Sequence, residues 1–335
     1  MILEKDWATY PKFRHNLWTN FADEPDITYL TVSHGRYRVP NAEATEFLRM
    51  RGFCTGHHNI EQVSDRSGVP LARAREIVQS LADAEVLRRP HRPFSQLGDE
   101  EIRDVLLSAV AIWSEQLRET HISVEVFDGA VSRRVALGWL LETYHYIRSF
   151  PSALEVAAKS ASGELRAVLV DYAEQERGHE TFVEQSLVRL GLSADEVRHS
   201  IPLVTTRLID LLMRELFQAT PCVALLLAGI VEADDFQEEE IPDLQRRFAE
   251  HYASPLDALE PFFRHSRIDS DLGHGKLPHR YARLLSFRND FELNSVVNRL
   301  HDIKHAFDAQ KLEIKDYYGR EGNYFPRQPV DFFAI

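Results

Sequence analysis

Cysteine is nearly absent from this chain, which has only Cys54 and Cys222 among its 335 residues. Two cysteines so far apart cannot form a thiolate cluster or a Cys-x-x-Cys redox motif. Long apolar runs are also lacking, because the longest, Cys222–Val231, is about half of the roughly 20 residues needed to span a bilayer. The N-terminus does not have the charged-then-apolar profile of a secretory signal. These absences predict a cytoplasmic protein that has no membrane partner.

A concentrated positive charge is missing as well. Residues 1–92 carry 13 basic and 12 acidic residues, whereas residues 93–335 carry 26 and 40, so the net charge of −13 comes from the second segment. A generic nucleic-acid binder needs a clustered basic surface, so nucleic acid is disfavoured as a partner. The sequence also contains no phosphate loop, dinucleotide fingerprint, nucleophile elbow or zincin motif.

The first of two predicted domains, residues 1–92, holds the only β-rich stretch. Residues 27–32 and 36–39 predict a hairpin, because β-branched and aromatic residues alternate on both sides of a glycine turn. Three short helices are expected next. The first should begin at Asn41, a good N-cap residue, and the other two flank Gly68 in a helix-turn-helix arrangement. The pattern predicts a small winged-helix α+β domain.

The second predicted domain, residues 93–335, is almost wholly helical. A linker with two prolines, Arg89–Pro93, marks the boundary between the domains. Apolar residues recur at helical spacing from about residue 98 to residue 318. Pro151 is expected to end one helix and begin another, and residues 163–190 are predicted as a single helix.

An acid and a histidine three residues apart occur four times in the helical region. The pairs are Glu142/His145, Glu176/His179, Asp271/His274 and Asp302/His305. Residues three apart share one face of a helix, so each pair can present a carboxylate and an imidazole to one point. The spacing alone is weak evidence in a chain this rich in acids. Asp302/His305 is interpreted as a solvated surface pair.

The sequence around the other carboxylates gives them more weight. Glu142 and Glu232 lie among apolar neighbours, where a buried carboxylate needs a partner or a metal ion. Gly178 costs a helix about 1 kcal/mol relative to alanine, so close approach of another helix to His179 is expected. His145 remains open between a core histidine, a hydrogen-bond donor to a ligand and a direct ligand.

Residues 98–318 resemble the heme-oxygenase-like diiron oxidases and oxygenases. The resemblance rests on Glu142-Thr-Tyr-His-Tyr-Ile-Arg-Ser-Phe-Pro151, Glu176-Arg-Gly-His179, Glu232 and Arg267-Ile-Asp-Ser-Asp-Leu-Gly-His-Gly275. It implies a mainly α, heme-oxygenase-like (TenA/PqqC-like) helical bundle. The implied metal ligands are Glu142, Glu176, His179, Glu232, Asp271 and His274. The implied cofactor is Fe(II), as two ions, with Mn as the alternative metal and O₂ as co-substrate.

The end of the family motif, His-x-x-x-Asp-x-x-His, is altered in this sequence. In the preferred register Asp271 and His274 match, and Arg267 replaces the first histidine. In the other register His265 and Asp269 match, and the last histidine is lost. The preferred register leaves the second iron without a nitrogen ligand. The alternatives are that this ion binds weakly or that Arg267 replaces the ligand by orienting an acidic substrate, and a single stable metal ion is also compatible with the sequence. The catalytic candidates are His145 and Arg267.

The N-terminal domain resembles the peptide-binding winged helix of pyrroloquinoline quinone biosynthesis protein D (PqqD), the RiPP recognition element. The matching run is Tyr29-Leu-Thr-Val-Ser-His-Gly-Arg-Tyr-Arg-Val-Pro-Asn41, followed by the three helices. The resemblance implies that a leader peptide adds as a strand to the hairpin edge. DNA binding and a purely packing role are the alternatives.

Together these features predict an iron- and O₂-dependent enzyme of natural-product biosynthesis. Its substrate would be a ribosomal precursor peptide or an amino-acid-derived molecule, and a homodimer is compatible with the sequence. One alternative is a cofactorless PqqC/TenA-like enzyme. The other is a winged-helix DNA-binding regulator whose bundle senses a ligand or a metal.

Overall fold

The computed structural model describes residues 8–13, 18–19, 24–32, 35–87, 94–232, 236 and 238–334. The chain divides into two compact units between Leu97 and Gly98, here called the N-terminal unit and the helical unit. The sequence placed the boundary after residue 92. The predicted linker, Arg89–Pro93, lies outside the described residues.

The N-terminal unit combines a small antiparallel sheet with three helices. The strands are β1 (Trp18–Thr19), β2 (Ile27–Val32) and β3 (Gly35–Pro40), in the order β1-β2-β3, and the helices are α1 (Thr45–Arg51), α2 (Ile60–Ser67) and α3 (Leu71–Asp83). A capping box of Asn59 and Gln62 starts α2, and Gly68 ends it in the left-handed conformation, at φ 67°.

Asn41 does not cap α1, which corrects the sequence prediction. The helix begins four residues later, at Thr45. The Asn41 side chain accepts a hydrogen bond from Thr28 Oγ1 at 2.7 Å and donates one to the Pro25 carbonyl at 3.0 Å. Both partners lie at the start of the hairpin, so Asn41 fixes the end of the sheet instead of the start of the helix.

The helical unit contains twelve α-helices in its described residues. They are α4 (Asp99–Thr120), α5 (Ile122–Phe127), α6 (Arg133–Ser160), α7 (Gly163–Gln175), α8 (Glu180–Arg189), α9 (Ala194–His199), α10 (Val204–Ala219), α11 (Val223–Val231), α12 (Ile241–Tyr252), α13 (Glu260–Leu272), α14 (Leu277–Arg280) and α15 (Asp290–Gly319). The central helix is α6, which packs against α7, α8, α10 and α15. Its long buried face therefore organises the bundle.

Two predicted helix boundaries differ from the structure. Pro151 lies inside α6 and does not end it. A proline in a helix interior costs about 3 kcal/mol, but residues beyond it, such as Leu154 and Ala157, are fully buried, and their burial keeps the helix continuous. Conversely, the predicted helix over 163–190 is interrupted between α7 and α8.

The most apolar helix, α11, is a core element. Eight of its nine residues are buried. None of the helices in the described part of the chain combines the length and apolar character needed to cross a membrane.

Candidate metal centre

Six metal-ligating side chains converge inside the helical unit. They form two groups, Glu176, His179, His265 and Asp269, and Glu176, Glu232, Asp269 and His274. Within each group the four ligand atoms lie within 4.8 Å of one another. Glu176 and Asp269 belong to both groups, so the two groups form one cluster, called here the ligand cluster.

A break in the helix places the first two ligands. Glu176 directly follows the last residue of α7, and His179 directly precedes α8. Gly178 between them has φ +85°, which L side chains rarely adopt. A Cβ built on Gly178 would meet nothing within 4 Å, so no neighbouring helix approaches this residue closely, contrary to the sequence prediction. The backbone conformation explains the glycine instead.

The later ligands come from α13 and the turn that follows it. His265 and Asp269 are four residues apart on α13 and therefore share one face. Gly273 ends the helix at φ 71°, and His274 begins a short 3₁₀ turn. The change of chain direction at Gly273 returns the His274 ring to the cluster.

His179 is the centre of the first group. Its Nδ1 lies 3.4 Å from Glu176 Oε2 and 3.2 Å from Asp269 Oδ1. On the other side of the carboxylate, His265 Nε2 lies 3.3 Å from Asp269 Oδ2. This group therefore offers two imidazole nitrogens and two carboxylates.

His274 is the centre of the second group. Its Nδ1 lies 2.8 Å from Glu176 Oε1, 3.6 Å from Glu232 Oε2 and 3.7 Å from Asp269 Oδ1. The two oxygens of Glu176 thus face different groups.

Several of these ligand atoms are buried without a hydrogen-bond partner. They are Glu176 Oε1, His179 Nδ1, His265 Nε2, Asp269 Oδ1 and His274 Nδ1. Although some lie close together, their angles are not those of hydrogen bonds. An unsatisfied buried polar group costs about 1–3 kcal/mol, so five in one place need a common explanation. Lone pairs directed at a metal ion provide one, and nitrogen and oxygen donors without thiolate suit Fe(II) or Mn(II).

A hydrogen-bond chain behind the cluster sets the tautomer of His274. Gln175 Nε2 donates to Asp171 Oδ2 at 2.9 Å, which turns Gln175 Oε1 towards His274 Nε2, also at 2.9 Å. Because that oxygen can only accept, Nε2 of His274 carries a proton, and Nδ1 is the nitrogen that can give a lone pair to a cation. Tyr172 similarly donates its hydroxyl to Glu232 Oε1 at 2.9 Å. Such outer contacts orient metal ligands.

The pKa values of three members of the cluster are raised. Burial alone lowers the pKa of His179, but Asp269 and Glu176 raise it to about 10. Burial likewise lowers the pKa of His274, yet Glu176 and Glu232 raise it to about 9. Burial, followed by the Glu176 charge, raises the pKa of Glu232 to about 8. Without a metal ion the cluster therefore holds protons, which a bound cation would displace.

The structure brings together four of the six predicted ligands, Glu176, His179, Glu232 and His274. Asp271 is exposed and belongs to neither group. Asp269 takes its place, which corrects the preferred register. Two residues correspond to about 200° around a helix, so Asp271 and Asp269 face opposite sides of α13.

Arg267 lies outside the cluster for the same reason. Its side chain is 47% exposed and lies 3.7 Å from Glu238. His265 supplies the nitrogen that the preferred register lacked. Sequence reasoning left out His265 and Asp269 as ligands, although their His-x-x-x-Asp spacing was the available signal.

Glu142 and His145 also stand apart from the cluster. Glu142 is fully buried and accepts hydrogen bonds from Leu203 N at 2.9 Å, Thr206 Oγ1 at 2.5 Å and Tyr318 OH at 2.7 Å. His145 Nε2 lies 2.9 Å from Ser200 Oγ. These partners explain why both side chains are buried, and no metal ion is needed.

A cavity of about 180 Å³ adjoins the ligand cluster. Glu176, Glu232 and His265 contribute to its lining, as do Trp139 and Glu142, which belong to neither ligand group. A molecule in this cavity would contact both the cluster and α6.

No protein family model and no curated protein matches the sequence significantly. Among solved structures, the chain is similar to a domain of unknown function with a heme oxygenase-like fold from Shewanella denitrificans, at 16% identity and a TM-score of 0.51, covering 66% of this chain and 97% of that one. A TenA homologue from P. horikoshii matches at 13% identity and a TM-score of 0.46, covering 64% and 97%. A TenA homolog from Pseudomonas syringae pv. tomato matches at 10% identity and a TM-score of 0.47, covering 66% and 100%. The first likeness supports the heme oxygenase-like fold and carries no information on activity.

Proposed function

We propose that the helical unit is a non-haem iron enzyme that uses O₂ to oxidise its substrate. The observation that carries the proposal is the ligand cluster with its five buried, unpartnered ligand atoms. A heme oxygenase-like bundle without a metal ion, such as a cofactorless PqqC/TenA-like enzyme, would leave the cost of those atoms unexplained.

The donor set is suited to two divalent ions. Three carboxylates carry a charge of −3 against +4 for two such ions, and three neutral imidazoles complete the set. Glu176 and Asp269, which belong to both groups, would help to hold both ions. His179 and His265 would serve one ion, while Glu232 and His274 would serve the other.

Iron in this position would supply the electron-transfer chemistry with O₂ that amino-acid side chains lack. The protein's own residues perform the other tasks. Gln175 keeps the His274 lone pair directed at the cluster, and Tyr172 holds the outer oxygen of Glu232. Aromatic side chains around the cavity exclude water from the reacting groups.

Anaerobic loading with Fe(II), followed by exposure to O₂, tests the proposal. We expect about two iron ions per chain, O₂ consumption and a transient charge-transfer band in the visible region. Glu176→Ala and His179→Ala should lose all three signals. His199→Ala, which removes an exposed histidine of α9, is the matched control. An unaltered protein that retains no iron would end the proposal.

We further propose that the substrate is a ribosomal precursor peptide or an amino-acid-derived molecule, which the N-terminal unit helps to bind. In the described part of this unit, β3 pairs with β2 on one edge only. The outer strand of a sheet can bind an extended peptide through backbone hydrogen bonds. The unit would then deliver the peptide to the enzyme.

Binding of a labelled precursor peptide encoded beside this gene tests the recognition step. Fluorescence polarisation should show binding, and amide hydrogen exchange should slow along β3 while that of α1 stays unchanged. Slowing confined to α3 on addition of duplex DNA would instead support a regulator.

The ion pairs of α3 favour the peptide over DNA. Arg73 Nε lies 2.7 Å from Glu46 and its Nη1 2.9 Å from Glu76, and Arg75 lies 2.9 Å from Glu61. A recognition helix needs its arginines free for phosphates and base edges. Here nearby carboxylates neutralise them.

A further inference from the structure

Trp139 and Glu142 form one wall of the cavity. Neither the metal cluster nor the fold requires the hydrogen-bond donor and acceptor that this wall presents. Both residues lie on α6, three positions apart, and therefore face the same side of the helix. Both line the cavity that adjoins the ligand cluster. A molecule beside the metal ions would therefore meet this wall.

Glu142 is a buried acid without a cationic partner among the described residues. Its three hydrogen-bond donors, Leu203 N, Thr206 Oγ1 and Tyr318 OH, are all neutral. Burial raises the pKa of the Glu142 carboxyl and outweighs these three donors, which lower it, so a bound cation would favour the ionised form. An ionised carboxylate has about four acceptor positions, so one remains for a ligand. A buried negative charge with a vacant acceptor position favours a cation.

Trp139 adds an unsatisfied donor on the same wall. Its side chain is 3% exposed, and its indole Nε1 has no hydrogen-bond partner. The indole N–H can only donate. The wall therefore presents one donor and one acceptor, with Cβ atoms about 5–6 Å apart, the separation of side chains three residues apart on a helix.

Aromatic and aliphatic side chains line much of the rest of this small cavity, together with several hydroxyl groups and Arg118, which pairs with Glu115. Tyr146, Phe150 and Phe307 line it, and the Tyr146 ring stacks on Phe150 and meets the edge of Phe307. A cavity of about 150 Å³ holds a benzene molecule, so 180 Å³ accommodates an aromatic ring or short apolar chain with a small polar head. Aromatic faces also attract cations.

We propose that this cavity binds a primary ammonium group on a short apolar stem, with the ammonium on Glu142 and an oxygen acceptor of the same ligand on the Trp139 N–H. The assignment deepens the proposed oxidase function, because it names the group that positions the substrate next to the metal ions. An ammonium with a nearby carbonyl occurs in amino acids, their derivatives and peptide N-termini. A lysine side chain supplies the ammonium alone.

Calorimetric titration with three related ligands tests the proposal. Phenethylamine carries the ammonium, 2-phenylethanol replaces it with a neutral hydroxyl, and phenylalaninamide adds a carbonyl. In the unaltered protein we expect the amine to bind about ten- to a hundredfold more tightly than the alcohol, the range for a charge-assisted hydrogen bond. The amide should bind more tightly still. Equal binding of amine and alcohol would overturn the proposal.

Two variants separate the roles of the wall residues. Glu142→Gln should abolish the preference for amine over alcohol, whereas Trp139→Phe should remove only the added affinity of phenylalaninamide. Glu164→Gln, which alters an exposed acid paired with Arg283, should change neither ratio. If Glu142→Gln fails to fold, the ligand series in the unaltered protein still decides the question.

Two further comparisons are needed. One identifies the source of the ammonium, and the other tests this proposal independently of the proposed oxidase function. A short acetylated peptide with one lysine should outbind its norleucine counterpart if a peptide side chain is the natural ligand, and a preference limited to free amines assigns a small molecule. Iron content is measured on the same samples. Amine preference without iron retention contradicts only the oxidase, and iron retention without amine preference contradicts only this inference.

Discussion

The two acid-x-x-His pairs Glu142/His145 and Glu176/His179 have the same spacing and nearly the same burial, but their surroundings differ. Glu142 is 0% and His145 8% exposed, against 2% for Glu176 and 7% for His179. Burial therefore does not distinguish a metal ligand from a structural pair. The partners of each side chain do.

The pair on α6 is satisfied by neutral groups of the protein. Burial raises the pKa of Glu142, and burial lowers the pKa of His145 to about 4. Ser200 donates its hydroxyl to the Val197 carbonyl, so it accepts from His145 Nε2, and the imidazole is stable in its neutral form.

The pair between α7 and α8 is surrounded by charge. Burial lowers the pKa of His179, but Asp269 and Glu176 outweigh it and raise that pKa to about 10. Excess acids with unpartnered ligand atoms distinguish this pair from the one on α6. Under the proposed function, hydrogen-bond satisfaction is therefore a better guide to a metal site than spacing or burial.

Metal content gives the largest expected contrast between the two pairs. Glu176→Gln should abolish retention of both ions, because one carboxylate serves both groups. Glu142→Gln should retain them. Iron is counted by atomic spectroscopy after anaerobic loading and desalting. Equal iron loss in both variants would show that Glu142 is a ligand after all and would remove the contrast.

The register of α13 gives the next largest effect. Asp269→Asn should weaken metal binding by more than the roughly 100-fold that loss of an outer hydrogen-bond partner costs. Asp271→Asn, the same change two residues along the helix, should leave it unchanged because Asp271 is exposed. Competition with a chelator measures both affinities. The opposite ranking would restore the register preferred from the sequence.

The sequence predicted the helical fold and four of the residues that meet in the cluster, because apolar periodicity and local spacing are properties of the chain itself. The prediction of Asp271 as a ligand beside His274 was wrong, because the acid-x-x-His spacing places two residues on one face only if the helix continues through both. The helix ends at Leu272, and Gly273 redirects the chain before His274. Local spacing cannot report such a turn.

Glu142 shows a different limit. Its apolar neighbours correctly predicted burial, and burial requires a partner. The partners that the structure shows, Leu203, Thr206 and Tyr318, lie 61, 64 and 176 residues away in the sequence. Partners brought in by tertiary packing cannot be identified from a single sequence, so a metal ion was the remaining explanation.

The free energy of unfolding should fall at acid pH because of His145 in the α6 pair. The pKa of His145 is about 4 in the folded protein, below its ordinary value of 6.5. Above pH 6.5 the group is neutral in both states. As the pH falls below 6.5, His145 becomes protonated in the unfolded chain but stays neutral in the folded protein. Stability is therefore lost towards pH 4. From pH 7 to pH 5 the loss amounts to about 2 kcal/mol.

Denaturant unfolding of the metal-free helical unit at pH 7 and pH 5 measures this loss. His145→Gln retains an N–H donor for Ser200 without the titration, so its pH dependence should be smaller by the same amount. His305→Gln, at a side chain that is 60% exposed, should behave like the unaltered protein. An unchanged slope in His145→Gln would mean that this pair is not the acid-sensitive element.

The smallest effect concerns the group that orients the cluster without belonging to it. Gln175→Leu removes the acceptor for His274 Nε2–H, so the imidazole is free to place its proton on Nδ1, where the metal ion needs a lone pair. Metal affinity should fall about tenfold, at the lower end of the range for outer partners. Gln175→Glu keeps an acceptor and should restore most of the affinity. If the Gln175→Leu and Gln175→Glu variants bind the metal with equal affinity, the hydrogen bond from His274 does not set the tautomer. The geometry of the cluster is then maintained by its carboxylates alone.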